Sequence, residues 1–301
     1  MINLTLKQLR YAESLARMGH FGRAADDCAV SQPALSMQIR ELEDMLGIAV
    51  FDRGPRQVRL TPFGEIFVTE ARKILRATED LADMARAARQ RLEGQMRIGI
   101  IPTLAPYLLP AIIGRLGESY PGLDLSFRET VTPRLIAELQ EGKLDAALVA
   151  LPAPEPALEE VDLFEEPFVL VRPEAEAERP VPGPEGLREM RLLLLEEGHC
   201  FRDQALSFCD LPSGRPREVM DGSSLATLVQ MVGAGIGVTL IPAVAVPVET
   251  RSARVSVAHF PEPQPKRRIG MVWRRSSPLA DQLRGIAAEI ALAAQARQTE
   301  S

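Results

Sequence analysis

Apolar positions recur with a helical period from Leu6 to Met18, where Leu6, Leu9, Leu15, Ala16 and Met18 predict a first helix. A short second helix is predicted over Arg23–Asp27, whose paired alanines let a neighbour approach closely. Ser31 opens a third: its hydroxyl suits the free first-turn amides, and Pro33 costs that turn no hydrogen bond. This helix buries Leu35, Ile39, Leu42 and Leu46 and stops at Gly47. Two short helices with a tight turn between them, the second polar on one face, make a helix-turn-helix. Periodicity by itself also admits a plain helical bundle. The next stretch, IAVFDRGPRQVRLTPFG, decides for the former: an apolar strand, a Gly-Pro turn and the alternating strand VRL form a two-stranded wing. Thr61-Pro62 then caps a long helix through about Ala88, carrying Phe67, Ile74, Leu75 and Leu81. At 1.5 Å per residue it spans about 40 Å. A helix that long leaving a small head calls for a partner, which predicts dimerisation along it.

At Gly94 the pattern changes. GQMRIGI, LDLSFRE and LDAALVA read as strands, alternating with helices in LAPYLLPAIIGRLGES and TPRLIAELQEGK. Such alternation predicts an α/β domain with a largely parallel sheet. Segments rich in proline and glutamate, around 151–160 and 173–189, read as surface loops or crossovers. RLLLLEE, SSLATLVQMVGAGIGVTLIPAVAV and RRIGMVW follow, and a closing helix covers 278 to about 295. Two α/β lobes fit this order better than one sheet, with the cleft between them as the expected ligand position. The expected boundaries are 1–64 for a winged helix-turn-helix head and 65–92 for the linker helix. A regulatory domain takes 93–301, with lobe I at 93–164 and 268–301 and lobe II at 165–267.

Composition narrows the class. The chain has 301 residues, 46% of them hydrophobic and 25% charged, which describes a globular protein with ample core material. No apolar run reaches the roughly 20 residues that cross a bilayer, and the N-terminus has no signal-peptide pattern. A cytoplasmic location without membrane contact is expected. The net charge of -6 argues against a polybasic nucleic-acid binder. Residues 1–64, however, hold eight Lys/Arg and seven Asp/Glu, a net of +1. Any DNA contact therefore comes from a folded, positioned element in several copies. Ser31, Gln32, Pro33, Ser36 and Arg40 on the third helix are candidates for bases or phosphates, and Arg53, Arg56 and Arg59 in and beside the wing turn for phosphates.

Three cysteines cannot build a secreted disulfide framework. Cys28 reads as a small packing residue between the two head helices. Cys200 and Cys209, nine residues apart in GHCFRDQALSFC, admit three readings: buried core, metal ligands or a working thiol pair. With His199 they match no familiar ligand spacing, so neither a metal nor another cofactor is expected.

Residues 21–53, FGRAADDCAVSQPALSMQIRELEDMLGIAVFDR, with LTPFG at 60–64, resemble the N-terminal signature of LysR-type transcriptional regulators. IGIIPTLAPYLLP, GKLDAALVA, GHCFRDQALSFC, SLATLVQMVGAGIGVTLIPAVAVP and IGMVWRRSSPL resemble the OxyR subfamily of peroxide-sensing activators. The resemblance covers essentially the whole chain. It implies a regulatory domain like that of periplasmic binding proteins, in a homodimer assembling to a homotetramer on double-stranded promoter DNA. It also implies contact with RNA polymerase, hydrogen peroxide as signal, and a thiol reductant such as glutaredoxin or thioredoxin for resetting. Genes for catalase and alkyl hydroperoxide reductase are the implied targets. By motif match, peroxide oxidises Cys200 to a sulfenic acid, which Cys209 captures as a disulfide. His199, Arg202, Asp203, Thr103, Thr132 and Arg274 are the implied neighbours of the reacting thiol. One departure is visible: many relatives carry a histidine just before the stretch matching GSSLATL, where this chain has Val219 and Met220.

Physical chemistry supplies supporting expectations. A thiol attacks peroxide as thiolate, and adjacent cations or a helix N-terminus favour that form. Were 200–209 helical, nine steps would separate the thiols by about 13.5 Å along the axis, whereas a disulfide needs Cα atoms roughly 4.4–6.8 Å apart. Oxidation would have to unwind the helix. Rival functions are a regulator binding a small organic anion in the interlobe cleft, through Thr103 and Thr132, and a thiol peroxidase. An enzyme gives no reason for the DNA head and is not expected.

Overall fold

Thr5 fixes the start of the first helix, α1 (Leu6–Met18): its hydroxyl accepts from the Gln8 amide, and the Gln8 side chain accepts from the Thr5 amide. The computed structural model describes residues 4–54, 57–87, 92–209 and 220–299. The chain divides into two units, Met1–Ala85 and Arg86–Ser301. In the first, α1 ends on left-handed Gly19, and α2 (Phe21–Asp27) begins two residues before the pattern predicts. The reason is His20, to which the sequence reading gave no role: its Nδ1 accepts from the Gly22 amide at 3.0 Å and caps the helix. Cys28 follows as the helix cap, packed against the head core as expected. Next comes Ala29 at φ 54°, a left-handed turn, before Ser31 caps α3 (Gln32–Leu46).

Leu35, Ile39 and Leu42 are buried among Tyr11, Leu15 and Ala24, while Leu46 is only partly covered. The wing is the antiparallel pair β1 (Phe51–Arg53) and β2 (Val58–Leu60). Glu43 of α3 holds it: one carboxylate oxygen accepts from the Val50 and Phe51 amides, both at 2.9 Å, and the other from Arg53 at 2.8 Å. Thr61 accepts from the Gly64 amide at 2.9 Å and starts the 26-residue α4 (Pro62–Ala87). A side chain at Gly64 would place its Cβ 2.0 Å from the Val50 carbonyl oxygen, so only glycine fits where the helix passes the wing.

The second unit has two cores. One gathers β3 (Gly94–Ile100), α5 (Ala105–Ser119), β4 (Leu123–Glu129), α6 (Thr132–Gln140) and β5 (Ala146–Leu151). Its strands run parallel in the order β4-β3-β5. The chain then enters β6 (Leu158–Pro173), α7 (Pro184–Glu189), β7 (Leu192–Leu195), α8 (Cys200–Phe208), β8 (Met220–Gly222) and α9 (Leu225–Gly233). β9 (Val238–Pro242), α10 (Val246–Glu249), β10 (Val255–His259), β11 (Lys266–Arg274) and α11 (Ala280–Thr299) complete it. The second core lies around β7, β9, α8 and α9.

The join differs from the sequence expectation. A loop was predicted to run to residue 160, and no strand was predicted over 161–172; instead β6 starts at Leu158 and runs for 16 residues, and Pro184–Glu189 is helical. The first half of β6 pairs antiparallel with β11, the second with β9 and β10, so the order is β4-β3-β5-β11-β6-β9-β7-β8. Alternating acids hide the strand because its first half has one solvated face. Pro167 sits opposite Lys266, at the hand-over between partners, where the ladder best tolerates a missing N–H. Among the described residues no helix is long and apolar enough to cross a membrane.

Replacing Glu43 by alanine would orphan two amides of buried residues, Val50 and Phe51. We expect a loss of about 1–3 kcal/mol in head stability, read by urea denaturation of the full chain.

Candidate functional site around Cys200

β7 delivers the chain to the cleft between the two cores, and a glycine turns it. Gly198 adopts φ +95°, open only to residues without a Cβ penalty, and His199 becomes the N-cap of α8 with no side-chain capping bond. Cys200 is therefore the first helical residue, partly buried and packed against the first core. Phe201, Ala205, Leu206 and Cys209 of the same segment belong to the second core. Cys209, the C-cap, is fully buried, and its carbonyl accepts from Arg188 at 2.7 Å. All three cysteines are free thiols. The intact helix thus keeps the two thiols at opposite ends, each facing a different core.

Ile101, Pro102, Thr103, Val131, Thr132 and His199 close around Cys200, leaving ≈ 0 Å³ open to a water-sized guest. Two threonine hydroxyls stand in this lining. Thr132, the first residue of α6, is 7% exposed, and its Oγ1 has no hydrogen-bond partner. Thr103 Oγ1 accepts from Arg267 at 2.8 Å, and its carbonyl accepts from the same guanidinium at 3.2 Å. With one lone pair so occupied, the Thr103 hydroxyl keeps its hydrogen for a guest. Burial holds His199 below the usual imidazole range, against the opposing pull of Glu196, so at neutral pH it stands neutral.

Arg267 was not singled out in the sequence. Its side chain is 0% exposed and that of Glu166 1%, and they pair at 2.6 Å. Burial raises the Glu166 carboxyl above the usual carboxylate range, and the facing Arg267 opposes that rise without cancelling it. The guanidinium also lies 5.3 Å from the ring centroid of Phe201, which meets Phe168 edge-on. Strand alternation held the clue: Arg267 is in phase with buried Ile269, Met271 and Trp273, whereas Lys266 and Arg268 point out.

Other expected neighbours lie elsewhere. The structure does not bring Arg274 to the thiol: it sits seven residues further along β11, about 23 Å at strand rise, and donates to the Leu139 carbonyl at 2.8 Å. Arg202 ties α8 to β7 and β8 instead of facing the sulfur, donating to the Leu195 carbonyl at 2.8 Å and to Asp221. Asp203 is exposed in the first turn of α8 and does not line the pocket. Val219 lies outside the described residues. Among the described residues no cluster of His, Cys, Asp or Glu could hold a metal.

Beside the thiol pocket, sharing Pro102, Thr103, Val131 and His199 with it, is a cleft of ≈ 370 Å³. Glu129 and Glu249 line it, and no lysine or arginine does among the described residues.

In the head, Gln32, Pro33, Met37 and Arg40 are exposed and Ser36 half-buried, at helical spacing along one face of α3. Ser31 spends its hydroxyl on the Ala34 amide. Arg59 is exposed opposite Asp52, whereas Arg53 is engaged inside the head by Glu43 and the Phe21 ring. Arg56 lies outside the described residues. Ile66, Ile74, Leu81 and Met84 form an exposed apolar stripe on α4.

Comparison with known proteins adds an independent line. Residues 6–65 match the bacterial regulatory helix-turn-helix protein family of lysR type, and residues 89–293 match the LysR substrate binding domain. The DNA-binding transcriptional dual regulator OxyR of Escherichia coli is 42% identical over 95% of each chain. A probable hydrogen peroxide-inducible genes activator of Mycobacterium avium is 41% identical over 94% of this chain and 92% of its own. Full-length OxyR from Pseudomonas aeruginosa, solved as a cysteine-to-aspartate variant, superposes with TM-score 0.77 at 37% identity, over 96% of this chain and 95% of that one. A hydrogen-peroxide-bound cysteine-to-serine variant of OxyR from Corynebacterium glutamicum gives TM-score 0.68 at 36% identity, over 97% and 93%.

Burial pushes the Cys209 thiol up to about 11. At pH 8 roughly a thousandth of it is thiolate, so iodoacetamide should label Cys209 at least about 100-fold more slowly than an exposed thiol. Labelling should rise towards pH 11; fast labelling of the folded protein at pH 8 contradicts this.

Proposed function

This chain belongs to the LysR family of bacterial transcriptional regulators, in its OxyR branch, and from that premise we propose that it is a hydrogen peroxide sensor acting on promoter DNA. The lining closed around Cys200 must part to admit peroxide beside it, and the sulfur then attacks one oxygen. An S–O bond forms, the O–O bond breaks, and the departing oxygen leaves as water, giving the sulfenic acid. The Cys209 thiol then attacks the Cys200 sulfur, forming the disulfide and releasing a second water. Peroxide is reduced and the thiol pair oxidised.

The observation that carries this reading is the Thr132 hydroxyl, buried without a partner beside the thiol. A buried hydroxyl left unsatisfied costs free energy, and a small hydrogen-bonding guest relieves it. Thr103, with Arg267 behind it, offers a second donor to the peroxide oxygens. Cys200 is the first residue of α8, whose N-terminus has no side-chain cap, and the positive end of the helix favours the thiolate. Cys209 resists ionisation and serves as the resolving thiol. To reach Cys200 it must leave the second core, so α8 unwinds, and Phe201 with it loses its stacking on Arg267. That repacking is the signal passed on to subunit contacts and DNA.

The exposed face of α3, with Gln32, Pro33, Ser36 and Arg40, suits the major groove, and Arg59 suits a phosphate. The apolar stripe on α4 suits a dimer, which pairs into a tetramer, contacts RNA polymerase and is reset by a thiol reductant of the glutaredoxin or thioredoxin class. These assignments make the protein a cytoplasmic activator of antioxidant genes with no enzymatic turnover. An organic-anion effector finds the cleft lined by two carboxylates and no cation among the described residues.

One equivalent of peroxide added to the reduced protein should yield a Cys200–Cys209 disulfide by peptide mass analysis, together with an altered footprint on promoter DNA. Thiols that stay reduced at micromolar peroxide would falsify the sensor assignment. Thr132→Val should slow peroxide oxidation of Cys200 about tenfold or more while leaving its alkylation rate unchanged, since only peroxide needs the donor.

A further inference from the structure

Tyr107 stands on α5, yet its ring is buried in the other core. Its helix neighbours Leu104, Ala105, Leu108 and Ile112 pack in the first core, whereas Tyr107, 2% exposed, belongs to the second. Its hydroxyl reaches α10 and donates to Glu249 at 2.6 Å. A carboxylate can only accept. Burial, and then Glu249 beside it, raise the phenol above its usual range, so at neutral pH it remains the donor. The bond ties the start of α5 to α10.

This tie lies one helical turn from the thiol pocket, whose lining includes Ile101, Pro102 and Thr103. Between Thr103 and Tyr107 the backbone is closely bonded. The Leu104 and Ala105 amides donate to the Ile101 carbonyl at 3.0 and 3.1 Å. The Tyr107 and Leu108 amides donate to the Leu104 carbonyl at 3.1 and 3.0 Å. The segment is thus a single stiff turn, fastened at both ends: Arg267 holds Thr103, and Glu249 holds Tyr107. Elsewhere in the lining, the Thr132 hydroxyl has no partner and His199 makes no side-chain capping bond.

We propose that Tyr107, with Glu249, is a positioning residue for the peroxide reaction: it keeps the Thr103 hydroxyl in place while the rest of the lining yields to the oxidant. This rests on the sensor reading above. It adds a pair of residues that are absent from the lining around the thiol and act only through Thr103.

The test follows the second-order rate of Cys200 oxidation by hydrogen peroxide in the full-length reduced protein. Tyr107→Phe keeps the buried ring and removes only the bond to Glu249. It should oxidise about fivefold more slowly, or worse, since small misplacements of a positioned group are costly. Alkylation of Cys200 by iodoacetamide should keep its wild-type rate. Glu249→Ala should match Tyr107→Phe, and Glu249→Gln, which retains an acceptor for the phenol, should recover most of the rate. A double-mutant cycle with Thr103→Val separates positioning from general loosening of the fold. Acting through the Thr103 hydroxyl, Tyr107→Phe has no further effect in that background, whereas loosening would act in both backgrounds and alter alkylation too. A wild-type oxidation rate in Tyr107→Phe overturns the proposal, as does a loss that persists undiminished beside Thr103→Val. If peroxide oxidises Cys200 in no form of the protein, the sensor reading falls and takes this proposal with it.

Discussion

The buried pair of Arg267 and Glu166 lies where β6 changes partners, and the organisation of the regulatory unit converges on it. Both side chains are almost fully removed from water, so each charge is tolerable only because the other is there. Glu166 precedes Pro167, at the point where β6 leaves β11 for β9. The pair therefore sits between the two cores and fixes the register of the strand that joins them. From this position Arg267 grips Thr103 on the first-lobe side and stacks on Phe201 on the second. One cation thereby connects Thr103, in the lining of the thiol pocket, with Phe201 of the second core.

That arrangement gives the reduced state a definite mechanical meaning in the sensor reading. α8 is held at its start by the turn at Gly198, along its length by Phe201 and Leu206 in the second core, and at its end by Cys209 with Arg188. Helical geometry keeps the thiols apart, and core packing maintains the helix. Forming a disulfide would trade a short helix and several buried contacts for one covalent bond. A local oxidation of this kind would have a large structural consequence because Cys209 is a core residue. The high pKa of Cys209 is the electrostatic side of the same burial.

The DNA-binding head follows different rules. Local caps and one clasp organise it: Thr5 with Gln8, His20, Ser31, Thr61 and the carboxylate of Glu43. These are short-range interactions, with partners close in sequence. Its net charge is small, so positioned side chains on α3, and not a diffuse positive field, must direct any DNA contact.

That difference in range explains what could be read from the chain alone. The helices of the head, the caps at Ser31 and Thr61, the strands β3, β4 and β5 and the pairing of α8 with two cysteines all rest on periodicity or on residues within one turn. The sequence determined these by itself. The family signature in GHCFRDQALSFC likewise singled out Cys200, Cys209 and His199. Three features needed the tertiary structure. β6 was hidden by its acids and proline, because its strand character comes from three partners distant in the chain. Arg267, not Arg274, reaches Thr103, because two arginines on one strand differ only in where the strand lies against β6 and the first lobe. Arg202 turns from the thiol to the Leu195 carbonyl and to exposed Asp221, because a side chain follows the acceptors that the fold places beside it and not its neighbour in sequence. Local periodicity fixes which elements form. Long-range pairing decides which charges meet.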